Sequence, residues 1–230
     1  MKVTLSFEKT SSSDVSIMVD ALRASTTMTI ALDNFDEIIP CFTPEEAFEL
    51  KNKTCGVIAG ERGGAKIEGF DTGNSPNEIK AFKSDSETLI LTTSNGTRIL
   101  KNMDSKVLIG CLINASAVAE ASLNLAKTHI DVVMAGVRGE FAIEDYLAAG
   151  EIIYQISEIC KDCEIDEYAQ SAISDSRNYD AVKKAFHESK SGKRLTKLGY
   201  LDDIELSLMK NSSRNVAFYE KNIITMLKFK

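Results

Sequence analysis

Through the first two-thirds of the chain, short apolar runs alternate with stretches whose apolar positions recur every three or four residues. KVTLSF (2–7) places Val3, Leu5 and Phe7 on one side and predicts a half-buried strand. VSIMV (15–19), DEIIPCF (36–42), CGVIA (55–59), TLILT (88–92), KVLIG (106–110) and IDVVMAG (130–136) predict further strands. Helices are expected at RASTTMTIAL (23–32), PEEAFELKNK (44–53), NASAVAEASLNLAK (114–127) and AIEDYLAAGEIIYQISEI (142–159). Pro44 suits a first helical turn, where its missing N–H has no partner to lose. Strand–helix alternation of this kind predicts an α/β fold with a largely parallel or mixed sheet. Beyond Cys163 the period changes. Residues 166–210 read as helix throughout, giving a helical C-terminal part, and NVAFYE (215–220) adds a last strand. No repeat or low-complexity linker interrupts the pattern, so a single α/β domain over residues 1–230 is expected.

Composition narrows the partners. The net charge of −7 argues against nucleic acid, whose phosphates need a basic face, but leaves room for a small anion in a local basic pocket. MKVTLSFEKT has no apolar core of a signal peptide, and no apolar run reaches membrane-spanning length. A cytoplasmic protein with no membrane partner is the expectation. Its five cysteines then read as reduced, mostly buried thiols. Cys160 and Cys163 form a C-x-x-C, which fits a redox pair or half of a metal site. With only His129 and His187 available, a structural zinc site is not expected.

In an open α/β sheet, ligands bind beyond the carboxyl ends of the strands. Four such ends carry polar segments: Asp20 to Thr27, Gly60 to Gly64, Thr93 to Arg98 and Val137 to Asp145. Singly, each has a plain structural reading. Asp20, Ser25 and Thr26 suit helix caps, Glu144 and Asp145 suit a helix dipole, and Asn95-Gly96 suits a turn. Arg23, Arg62, Arg98 and Arg138 suit a surface, Arg138 being the weakest of the four as a site residue. Together the segments predict a site. Glycine-rich turns offer N–H groups to an anion, arginines bind phosphate or sulfonate in pairs of hydrogen bonds, and carboxylates without histidine suit Mg²⁺. The long stretch GERGGAKIEGFDTGNSPNE (60–78) is expected to be a functional loop, with Asn74 and Ser75 stabilising its turn. A P-loop is absent, and Cys55 lacks the arginine spacing of a cysteine phosphatase.

VDALRASTT, GERGGAKIEGFDTGNSP, TTSNGTR, the Asn114-Ala-Ser-Ala helix start and AGVRGEFAIEDYLAAGEI occur in that order. Across roughly residues 15–205 the chain resembles the 2-phosphosulfolactate phosphatase family. The resemblance implies a Mg²⁺-dependent hydrolase that releases phosphate and sulfolactate, a step toward coenzyme M. Where the family typically carries Ser-His-Gly before an Arg-Leu run, this chain has Lys190-Ser191-Gly192-Lys193-Arg194-Leu195 and lacks the His. On this reading Asp20, Glu61, Glu144 and Asp145 hold the metal. Arg62 meets the sulfonate or carboxylate, and Gly63 and Gly64 let the backbone approach the anion. Arg23 and Asn95-Gly96-Thr97 stabilise the phosphoryl oxygens, with Ser25, Thr26 and Arg98 also on the substrate. Attack by water and attack by Asp20 itself remain alternatives. So do a phosphatase of another small phosphorylated 2-hydroxy acid and a non-catalytic anion-binding module. A homodimer is the default assembly.

Overall fold

The computed structural model describes residues 1–12, 14–100 and 103–228. Its strands are β1 (Lys2–Phe7), β2 (Val15–Val19), β3 (Glu37–Cys41), β4 (Val57–Arg62), β5 (Ala65–Lys66), β6 (Thr88–Thr92), β7 (Lys106–Gly110), β8 (His129–Met134), β9 (Glu164–Ile165), β10 (Ala217–Glu220) and β11 (Ile223–Met226). Its helices are α1 (Ala24–Ala31), α2 (Pro44–Thr54), α3 (Pro76–Ala81), α4 (Gly96–Leu100), α5 (Ala115–Leu125), α6 (Ile143–Ile159), α7 (Glu167–Ser176), α8 (Tyr179–Glu188), α9 (Lys190–Lys197) and α10 (Leu201–Ser207). The fold is α/β, with a mixed, mostly parallel sheet and a helical C-terminal part.

The sheet runs β5-β4-β6-β3-β11-β10-β7-β2-β8-β1-β9. Two parallel sets, β4-β6-β3 and β7-β2-β8-β1-β9, are joined by the β10–β11 hairpin. Three antiparallel steps separate β3 from β7, so the two sets point in opposite directions. A flat sheet would place their carboxyl ends on opposite edges. Instead the sheet curls, as the right-handed twist of strands allows. Met18, Val133, Ile109, Leu91 and Ala59, drawn from both sets, share one apolar cluster with Met28 and Ala31 of α1. The alternate residues Ile17, Val19, Leu108 and Val132 face the other way, onto α5 and α6.

All eight residues of α1 are buried, although half carry hydroxyls. Each hydroxyl is therefore bonded, as buried polar groups require. Thr26 donates to Ala21 O, Thr27 to Asn74 O and Thr29 to Ser25 O, while Ser25 Oγ accepts from Asp20 N.

Several expectations change. GERGG is no open loop. Gly60 to Arg62 complete β4, and Arg62 pairs with Ala65 across a two-residue turn. Gly63 (φ +62°) and Gly64 (φ +89°) both occupy the left-handed region that such a turn demands. The helical region over 166–210 resolves into four helices: Asp166, Asn178 and Ser189 each accept a backbone N–H and start the first three, and Gly199 (φ +84°) separates the third from the fourth. The last strand is followed by a second, β11. Cys160 and Cys163 are neither free thiols nor a metal half-site. They are joined as a disulfide where α6 ends and β9 begins, their Cα atoms 5.5 Å apart. Among the described residues no helix is long and apolar enough to cross a membrane.

Candidate functional site

A small cleft of about 50 Å³ lies where the segments after β2, β4, β6 and β8 meet. It forms because the sheet curls. The backbone N–H of Arg138, after β8, donates to Asn95 Oδ1, after β6, at 3.2 Å.

The inner end of the cleft is acidic. Asp20 is buried, and its Oδ1 accepts the Ala24 N–H at 3.2 Å, so it caps α1 while facing the cleft. Burial pushes its carboxyl up to about 7; the Glu61 and Glu144 charges add to the rise, and N–H bonds from Ala24 and Gly96 oppose it. A Cβ on Gly96 would sit 2.8 Å from Ala24 Cβ and 3.1 Å from Asp20 Oδ2, so only glycine lets α4 start against this carboxylate.

Glu61 lies at the end of β4 and is also buried. It accepts Ser94 N–H at 2.7 Å and Gly64 N–H at 2.6 Å, which locks the hairpin turn to the segment after β6. Asn74 completes the inner end. Its Oδ1 is buried without a hydrogen-bond partner, an unusual condition for a native side chain.

Asp145, in the first turn of α6, accepts Ala21 N–H at 2.8 Å and Gly136 N–H at 2.9 Å. It fastens the segment after β2 to the segment after β8. Burial raises its pKa well above the usual range, and the charges of Asp20 and Glu144 add to that. Glu144 is buried beside it but lines a second cavity that shares Val137 and Ser191 with the cleft. The four carboxylates Asp20, Glu61, Glu144 and Asp145 interact electrostatically without closing around one point. Among the described residues no group of three or more His, Cys, Asp or Glu side chains is arranged to hold a metal ion.

Arg23 lines the cleft with its guanidinium already engaged. It pairs with Asp203 of α10 at 2.7 Å, donates to Gly64 O at 2.7 Å and stacks over Tyr200. Asp203 also accepts Ser75 Oγ at 2.7 Å and Asn77 Nδ2 at 2.9 Å. The Leu22–Arg23 peptide is cis.

Of the expected substrate contacts, Gly63, Gly64 and Asn95 line the cleft, but Arg62 does not. Its guanidinium turns away to bond Phe42 O, Thr92 Oγ1 and Glu61 O, because β-strand alternation sends it to the face opposite Glu61. Arg98 is paired with Glu8 on the exposed surface. Ser25 and Thr26 spend their hydroxyls inside the α1 entry. Thr97 bonds back to Thr93, donating to its carbonyl at 3.0 Å.

The sequence reading gave Arg138 the weakest site role of its four arginines and Asn74 a turn role, named Thr93 and Ser94 only as part of a strand-end segment, and gave Ser191 and Arg194 no role; all six line the cleft. The signal for the last two lay in the Lys190-Ser191-Gly192-Lys193-Arg194-Leu195 run. It sits in a helical region that strand-end reasoning ignores.

The 2-phosphosulpholactate phosphatase family model matches residues 3–222. A protein of Methanothermobacter thermautotrophicus named 2-phosphosulfolactate phosphatase is 47% identical, over 99% of this chain and 96% of its own length. One of the same name from Methanocaldococcus jannaschii is 35% identical, over 94% of each chain. Likeness of this extent leaves no part of the cleft outside the matched region, and the chain belongs to the 2-phosphosulpholactate phosphatase family.

Proposed function

We propose that this chain hydrolyses 2-phosphosulfolactate to sulfolactate and phosphate. The observation that carries the reading is the polarity of the cleft. Buried carboxylate and amide oxygens (Asp20, Glu61, Asn74) and exposed guanidiniums (Arg138, Arg194) line the same cleft. A substrate with a phosphate at one end and other anionic groups at the other suits such a site.

Carboxylates alone would repel a phosphate, so the acidic end calls for a cation. The donors there are all oxygen, and Asn74 Oδ1 is an acceptor with nothing to accept. That set fits Mg²⁺, which typically takes one or two protein carboxylates and completes its shell with water and phosphate oxygens. Asp20, Glu61 and Asn74 would hold it, a narrower set than the four acids expected from sequence. When bound, it neutralises phosphoryl oxygens.

Arg23, locked by Asp203, keeps a fixed positive charge on the cleft wall without reorganising during reaction. A water oxygen attacks phosphorus in line as the bond to the C2 oxygen breaks. The carboxylate of Asp20 takes the proton from that water and returns it to the leaving alkoxide. Sulfolactate so formed would serve coenzyme M formation in organisms that make it.

The test is phosphate release from racemic 2-phosphosulfolactate and from 2-phospholactate, with Mg²⁺ and with EDTA. Metal-dependent release that favours the sulfonated compound is expected. Equal release would remove the sulfonate from the reading, and no release by folded, Mg²⁺-supplied protein would overturn it. Oxygen-18 from solvent appearing in Asp20 rather than directly in phosphate would replace water attack by an aspartyl-phosphate route.

A further inference from the structure

The chain has seven arginines. Arg23, Arg177 and Arg214 are paired with Asp203, Glu151 and Glu120. Arg98 is paired with Glu8, and Arg62 donates to backbone and hydroxyl oxygens. Among the described residues, the guanidiniums of Arg138 and Arg194 alone have no such partner, and these are the two exposed arginines that line the cleft. In a chain of net charge −7, leaving two arginines of one cleft unpaired while five others are satisfied points to a ligand that supplies the missing negative charge.

Their mounts are also built to act together. Arg138 lies in the segment after β8, fixed by its N–H bond to Asn95. Arg194 lies on α9, whose N-terminus is capped by Ser189. Glu140, two residues beyond Arg138, forms an exposed ion pair with Lys190 at the start of α9. The two elements are thus tied together beside the second cavity.

We infer that Arg138 and Arg194 form the specificity clamp for the sulfonate and carboxylate of the substrate, while the phosphoryl group goes to the acidic end. The inference rests on the proposed phosphatase reading and replaces Arg62 in the sulfonate role. Both anions are permanent at neutral pH and planar or trigonal in their oxygens, which suits the two-pronged guanidinium. Phosphate monoesters that lack a second anion would gain nothing from the clamp, since both exposed guanidiniums stay hydrated without one.

Arg138→Gln and Arg194→Gln test this by two readouts, with Arg214→Gln as a surface control. In turnover, each clamp variant is expected to lose roughly 10- to 150-fold in kcat/KM on 2-phosphosulfolactate, mostly through KM. Hydrolysis of p-nitrophenyl phosphate should stay at the wild-type level. Equal losses on both substrates would place the arginines on the phosphoryl group and overturn the clamp; no loss on either would do the same. In calorimetry with sulfolactate, which needs no chemistry, each variant should weaken binding by a similar factor and the control should not. If wild-type protein binds sulfolactate but never releases phosphate, the phosphatase reading fails and the clamp survives. If wild-type protein does not bind sulfolactate while turning over its phosphate ester, the clamp fails and the phosphatase stands. Both positions are exposed, so thermal melts should match wild type.

Discussion

Asp20 shows how one side chain can work against the fold that holds it. An aspartate normally ionises near pH 4, yet burial keeps this one protonated up to about 7. Between those values the folded chain binds one proton more than the unfolded chain, so metal-free stability falls as pH rises through that window. Asp20→Asn cannot ionise. In EDTA it should be more stable than the native chain at about pH 8 by on the order of a few kcal/mol, with little difference at about pH 4, while turnover is lost. Thermal melts at the two pH values check this; an equal gain at both would mean that ionisation is not the cost. Gly96→Ala makes a companion case. Its methyl would press on Ala24 and Asp20, and kcat is expected to fall by at least tenfold with far-UV circular dichroism unchanged. Asp20 was legible in the sequence because an acid after a strand is a short-range signal. Asn74 was not. Its value lies in an oxygen left without a donor, and only packing from remote segments creates that condition.

At the scale of elements, the helical C-terminal part supports the cleft. α10 supplies Asp203, which neutralises Arg23 at the entry to α1 with both side chains about 2% exposed. A buried charge stripped of its partner is costly, so Asp203→Ala should destabilise the protein by roughly 3–5 kcal/mol in urea melts. Replacing Arg23 and Asp203 together by apolar residues of similar size should cost less than Asp203→Ala alone. A double replacement as damaging as the sum of the singles would show that the two do not act as a pair. Most strand and helix positions in the first two-thirds were readable because buried parallel strands are continuously apolar and the helices between them keep their period, whereas the short β5, α3 and α4 lie in segments read as loop and turn. The break-up of residues 166–210 was less so. Asp166, Asn178 and Ser189 are ordinary polar residues in sequence and become helix starts only where the chain must turn. Gly63-Gly64 was read as part of a long functional loop, but adjacent left-handed residues make a tight hairpin as readily as a loose loop.

For the whole molecule, strand order was the least legible feature. Local pattern reports that a strand exists, not which strand it joins. The rule that ligands gather beyond the carboxyl ends of strands holds here only because a C-terminal hairpin reverses half the sheet and the sheet curls back over α1. Deleting residues from 215 onward would leave the facing edges of β3 and β7 unpaired. Such a chain is expected to aggregate, eluting in the void volume on size exclusion, whereas full-length protein should not. Soluble, compact truncated chain would show that the two sets close without the hairpin. The position of that hairpin also orders events in time. Among the described residues, the two strands at the centre of the finished sheet are made after all the others. Each parallel set can gather its own helices during synthesis, but the join between them waits for residues 217–226. A nascent chain therefore holds all of its candidate catalytic residues before it can bring them together.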